Sequence, residues 1–145
     1  MIRLFAPDQI TKLCEIITTN TSSATNGPKH KQILDWFIEI IKGDESLINE
    51  LRKKWVEEDN PIETAPANMQ SFLAILLEWF TGNQSFNSNY TYGLYIYNSG
   101  AKKNSLIART CSYRIDVPIY IESKIELMLQ LVLSIKNASL DFQFA

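Results

Sequence analysis

Over the first eighty positions, apolar residues recur at helical spacing; the pattern then switches to alternation. Ile10, Leu13, Cys14 and Ile17 follow Ala6, Pro7 and Asp8, and a proline fits a first helical turn because its missing N–H has no partner there. The polar run 18–26 reads as a loop. Gly27 and Pro28 restart the chain, and Ile33, Leu34, Phe37, Ile40 and Ile41 form one stripe that Gly43 closes. Asp44 is placed to cap a third helix carrying Leu47, Ile48, Leu51 and Trp55. Its opposite face holds Glu50, Arg52, Lys53, Lys54, Glu57 and Glu58, a solvated surface. After a connector over 59–67, a fourth helix starts at Pro66 or Asn68. With Met69, Phe72, Leu73, Leu76, Leu77 and Phe80 it is the most apolar so far, and a central position is expected.

Beyond Gly82 the period changes. Tyr90, Tyr92, Leu94 and Ile96 alternate with Thr91, Gly93, Tyr95 and Tyr97, which predicts a strand. Asn98, Ser99 and Gly100 predict a turn, extended over 101–104. A second strand is expected over 105–117, with Ile107, Arg109, Cys111, Tyr113 and Ile115 on one face and Pro118 at its end. The two strands would form an antiparallel hairpin. Ile125, Leu127, Met128, Leu131, Val132 and Ile135 predict a fifth helix ending near Asn137. Leu140, Phe142 and Phe144 alternate with polar residues and predict a final strand beside the hairpin. The fold class expected is therefore α+β: four amphipathic helices packed with a small antiparallel sheet, the fifth helix between them. A single domain over 1–145 is expected, helical over about 6–82 and hairpin–helix–strand over about 88–145.

Composition agrees with a globular chain: of 145 residues 46% are apolar and 21% charged. The net charge of −2 offers no overall attraction to nucleic acid or to an anionic membrane. The charge is uneven, however. Residues 1–80 carry eight Lys/Arg and twelve Asp/Glu, whereas 81–145 carry six and four. Between Glu78 and Asp116 there is no acid, and that interval holds Lys102, Lys103, Arg109 and Arg114 together with Tyr90, Tyr92, Tyr95, Tyr97 and Tyr113.

Candidate chemistry is sparse. Cys14 and Cys111 fall in apolar patterns, as buried free thiols do in a reducing compartment. His30 is the only histidine and lacks the paired i, i+4 histidine of a helical metal site, so neither a metal nor a Cys–His nucleophile is expected. Asp35 and Glu39 share a helix face, but a polar one, where no carboxylate is desolvated for acid–base work. No glycine-rich loop enters a helix, so no phosphate cradle is expected. Met1 to Phe5 lack the apolar run of a signal peptide, no stretch reaches the ~18 apolar residues of a membrane span, and a cytoplasmic location is expected.

The acid-free interval remains. Its residues nominate a binding surface made of Tyr95, Tyr97, Lys102, Lys103, Arg109, Tyr113 and Arg114. The expected function is a non-enzymatic protein–protein interaction module, such as an adaptor, chaperone or immunity-type inhibitor, using no cofactor. A sheet edge could also pair two copies into a homodimer. Two alternatives are a single-stranded nucleic-acid binder, with tyrosines stacking on bases and Lys/Arg on phosphates, and a small-molecule binder with a pocket between helices and sheet.

Overall fold

The computed structural model describes residues 5–23, 27–43, 45–83, 85–98 and 106–143. The α+β class holds. Five helices are present among these residues: α1 (Pro7–Asn20), α2 (Pro28–Lys42), α3 (Glu45–Glu57), α4 (Met69–Thr81) and α5 (Lys124–Gln143). Four strands accompany them: β1 (Ser22–Ser23), β2 (Gly93–Tyr97), β3 (Ile107–Arg109) and β4 (Arg114–Pro118).

The helices form where the apolar spacing places them. Ile33, Phe37, Ile40 and Ile41 of α2 are buried, as are Leu47, Ile48, Leu51 and Trp55 of α3. Trp55 is fully enclosed, and its indole N–H donates to the Pro61 carbonyl at 3.1 Å and the Thr64 hydroxyl at 2.9 Å. That anchors the connector, which contains a single 3₁₀ turn, Ile62–Thr64. Asn68 caps α4 by accepting from the Ser71 N–H at 2.9 Å, and Gly82 ends it in the left-handed conformation at φ 81°. The Asp44 cap expected for α3 lies outside the described residues.

Three expectations about the chain are corrected. First, α1 continues to Asn20 instead of dissolving at Thr18: the polar side chains are accommodated on the helix, with the Thr18 hydroxyl donating to the Cys14 carbonyl at 2.8 Å and the Asn20 amide to the Ile16 carbonyl at 2.8 Å. Second, residues 139–143 are helical, so the C-terminal strand through Leu140 and Phe142 is absent. No glycine or proline stops α5 after Asn137, and an established helix propagates. Phe144 lies outside the described residues. Third, α4 is not the central helix: α5 packs on α2, α3 and α4 and buries Leu127, Met128, Leu131 and Val132.

The sheet also differs from the antiparallel hairpin expected. Its order is β1-β2-β4-β3 and it is mixed. β2 runs parallel to β4, with Tyr95 opposite Asp116 and Tyr97 opposite Pro118. Only β3 and β4 are antiparallel, with Ile107 opposite Asp116 and Arg109 opposite Arg114. The strand expected over 105–117 is broken by a turn at 110–113, closed by the Ser112 N–H on the Arg109 carbonyl at 3.1 Å. Tyr113 takes a left-handed φ of 52° there. The break reverses the chain, so β4 lies between β3 and β2, and residues 98–113 supply the long connection a parallel pair needs. It also ends the single face expected for that strand: Ile115 points inward and is fully buried, while Ile107 is 47% exposed.

Alternation then divides the sheet. Leu94, Ile96, Ile115 and Val117 are fully buried in the common core. Helices α1 and α2 pack on β2, and α4 packs on β3. Where α1 meets the sheet, Thr21 donates its hydroxyl to the Ile17 carbonyl at 2.6 Å and accepts the Leu94 N–H at 3.1 Å. Gly93 passes so close to this helix end that a Cβ would lie 2.7 Å from the Asn20 carbonyl oxygen. Gly93→Ala must displace backbone there and is expected to cost about 2 kcal/mol. A urea titration that moved by less than about 0.5 kcal/mol would show that this approach is loose.

Candidate functional site

The face of the sheet opposite the core is built by register. One row across it reads Ile107, Asp116, Tyr95 and Ser22, and the next reads Arg109, Arg114 and Gly93. Tyr97 and Pro118 complete it. The tyrosine side chains at 95 and 97 stand on one side of β2 because they are two residues apart, and both are half-buried rather than covered by a helix. Their rings stack at 6.4 Å with planes 11° apart. The Arg114 guanidinium lies over the Tyr95 ring at 4.9 Å. Gly93, opposite Arg114, puts no side chain between them.

Asp116 organises the charges. Its side chain is only 7% exposed although it points to the outward face. Arg109 donates Nε–H to one carboxylate oxygen at 2.6 Å, and Arg114 donates Nε–H to the other at 2.9 Å. The arginine side chains remain 50% and 38% exposed. Two guanidiniums on neighbouring strands would repel; one carboxylate between them removes that cost. Of the nominated residues, the structure thus brings together Tyr95, Tyr97, Arg109 and Arg114. Lys102 and Lys103 lie outside the described residues.

Tyr113 belongs elsewhere. Its ring stacks on Tyr90 at 4.2 Å with planes 6° apart, and both border the buried Tyr92. Phe80 and Phe86 complete this aromatic cluster. The Tyr92 hydroxyl accepts the Asn87 N–H at 3.0 Å. Burial pushes the Tyr92 phenol above its ordinary range, and Tyr113 is raised by desolvation and then by the neighbouring Tyr90. Tyr120 is raised too, first by burial and then by Tyr97 beside it.

Asp116 was the residue that composition concealed. It read only as the acid that ends an acid-free interval. The signal was local, since Arg114 and Asp116 two apart on a strand must share a face. Cys111, expected in a core, is exposed in the turn, while Cys14 is buried as expected. Cys111 and Tyr113 line a cleft of about 560 Å³ with Glu78, Trp79 and Ile135, between α4, the turn and α5. His30 stands partly buried one turn into α2, its Nδ1 enclosed without a hydrogen-bond partner among the described residues.

Two outcomes follow from this geometry. Arg109→Gln combined with Arg114→Gln strands a buried carboxylate and is expected to cost about 3 kcal/mol, whereas Asp116→Asn leaves two arginines that water can reach and costs about 1 kcal/mol. Equal losses in chemical denaturation would contradict the asymmetry. For Tyr92, a phenol pKa raised on folding contributes stability below the ordinary value near 10 that is lost as pH rises through the folded value. Tyr92→Phe should therefore be slightly less stable at pH 7, by about 1 kcal/mol for the lost hydrogen bond, yet lose less than the parent above pH 10. Parallel pH–stability curves for the two proteins would refute this. Compared with protein-family models and with curated proteins, the chain matches none.

Proposed function

We propose that the chain is a non-enzymatic protein-interaction module that docks its partner on the outward face of the sheet. The observation that carries this reading is the composition of that face, where Tyr95, Tyr97, Arg109, Arg114 and Ile107 stand together partly open to solvent. Tyrosine and arginine are enriched among the residues that carry interface energetics: tyrosine brings large contact area with only two side-chain torsions, and arginine a planar fork of donors. Here they are already ordered by stacking and by Asp116, so docking loses little side-chain entropy.

Two features favour the face over its alternatives. Among the described residues both sheet edges are short, two residues in β1 and three in β3, which disfavours strand addition and edge-to-edge dimers. Among the described residues of this face, Asp116 also offsets one of the two arginine charges and leaves a surplus of one, whereas binding a single-stranded nucleic acid gains from several phosphate contacts. No helix among the described residues is long and apolar enough to cross a membrane. Cys14 and Cys111, both unpaired, support a reducing compartment such as the cytoplasm.

The test is retention of a cross-linked partner by the full chain in its own cells. Tyr97→Ala and Ile107→Ser are expected to weaken retention at least tenfold, as loss of a central anchor does, while Val56→Ser on α3 leaves it unchanged. Retention unaffected by both sheet variants, or a chain that stays monomeric and alone, would overturn the proposal.

A further inference from the structure

We infer that Arg109, Asp116 and Arg114 form a receptor for a carboxylate, presented by a short acidic segment of the protein partner. The inference rests on the docking face proposed above and names what that face recognises.

The geometry supplies the reasons. Each arginine has five N–H donors in a rigid planar fork. Asp116 takes only the Nε–H of each, one per carboxylate oxygen, at 2.6 and 2.9 Å. The inner ends of both guanidiniums are thereby fixed, and the terminal nitrogens form the outer ends of side chains that are 50% and 38% exposed. Arg109 and Arg114 are register partners on adjacent strands, so their backbones stand about 5 Å apart and both side chains reach the same carboxylate. Two guanidiniums held by their Nε–H groups on one carboxylate keep their remaining donors for an incoming oxyanion, which can accept from both. The buried carboxylate below acts as the counter-charge that keeps the pair together before the ligand arrives.

Charge sets the size of the ligand's acidic part. Two guanidiniums and one carboxylate leave a single positive charge, which one further carboxylate neutralises. A polyanion has no second site to occupy among the described residues of this face. The surroundings define the rest of the ligand. Tyr95 and Tyr97 continue the platform on one side, and Ile107, 47% exposed, offers an apolar spot in the same row as Asp116. The segment that fits therefore carries an Asp or Glu beside an apolar or aromatic residue.

The experiment selects short peptides from a random library on the immobilised full chain and measures the binding of labelled winners. Winners enriched in Asp or Glu are expected, with affinity falling as NaCl is added. They should bind at least about tenfold more weakly to Arg109→Gln/Arg114→Gln/Asp116→Asn, which removes the charges without stranding a buried one. Should that protein fail to fold, Arg109→Lys/Arg114→Lys keeps Asp116 paired while destroying the fork, and a severalfold loss is expected. Winners without acid enrichment that are lost in Tyr97→Ala but kept in the triple variant would overturn the carboxylate receptor and leave the docking face standing. Winners unaffected by either change, or no winners at all, would overturn both. Tighter binding of a single-stranded oligothymidylate than of any acidic peptide would overturn the inference in favour of nucleic acid.

Discussion

Asp116 sits on an interior strand of the sheet with one carboxylate oxygen on Arg109 and the other on Arg114. Its position follows from a topological constraint. β4 has neighbours on both sides, parallel β2 and antiparallel β3, so any outward residue of β4 is flanked from two strands. At Asp116 those flanking residues are Tyr95 and Ile107; one row along, at Arg114, they are Gly93 and Arg109. The carboxylate is thus buried without a helix above it, covered by the arginines it pairs with. Were β2 and the following segment a simple hairpin, no strand would stand between Tyr95 and Ile107, and Asp116 would not be flanked by both.

The inward face shows the complementary solution. Leu94, Ile96, Ile115 and Val117 are sealed by α1, α2 and α4, and α5 fills the space among the remaining helices. The join is tight at one point, where α1 meets β2 through Thr21 and Gly93. Helix cover on that side allows the other side to carry polar and aromatic groups. The outward side chains then find partners within the sheet: ring on ring, guanidinium on ring, guanidinium on carboxylate. Such mutual support orders these side chains before any partner arrives, which is what the proposed docking role needs.

The helices were legible in the sequence because their apolar stripes are long and each stripe is a local property. The α+β class followed from the change of period along the chain. By alternation alone Arg109 and Arg114 would fall on opposite faces of one strand, and it is the turn at 110–113 that brings them side by side. What escaped was non-local or lacked punctuation. Thr110, Cys111, Ser112 and Tyr113 contain neither glycine nor proline, yet they turn the chain, with Tyr113 in a left-handed conformation beside the stacked Tyr90. Once that turn is missed, parallel pairing cannot be foreseen, Cys111 is assigned to the core, and Tyr113 joins the wrong face. Residues 139–143 alternate as a strand would, but they extend an existing helix whose cost of nucleation is already met.

The central claim is that one buried carboxylate holds both guanidiniums and so arranges the face. Nitrogen-15 spectra of the arginine Nε–H groups test it directly. In the parent chain the Nε–H signals of Arg109 and Arg114 should both be sharp, displaced from the free-arginine position and slow to exchange with water, and Asp116→Asn should move both toward that position together. A change in only one of them, or in neither, would contradict the account.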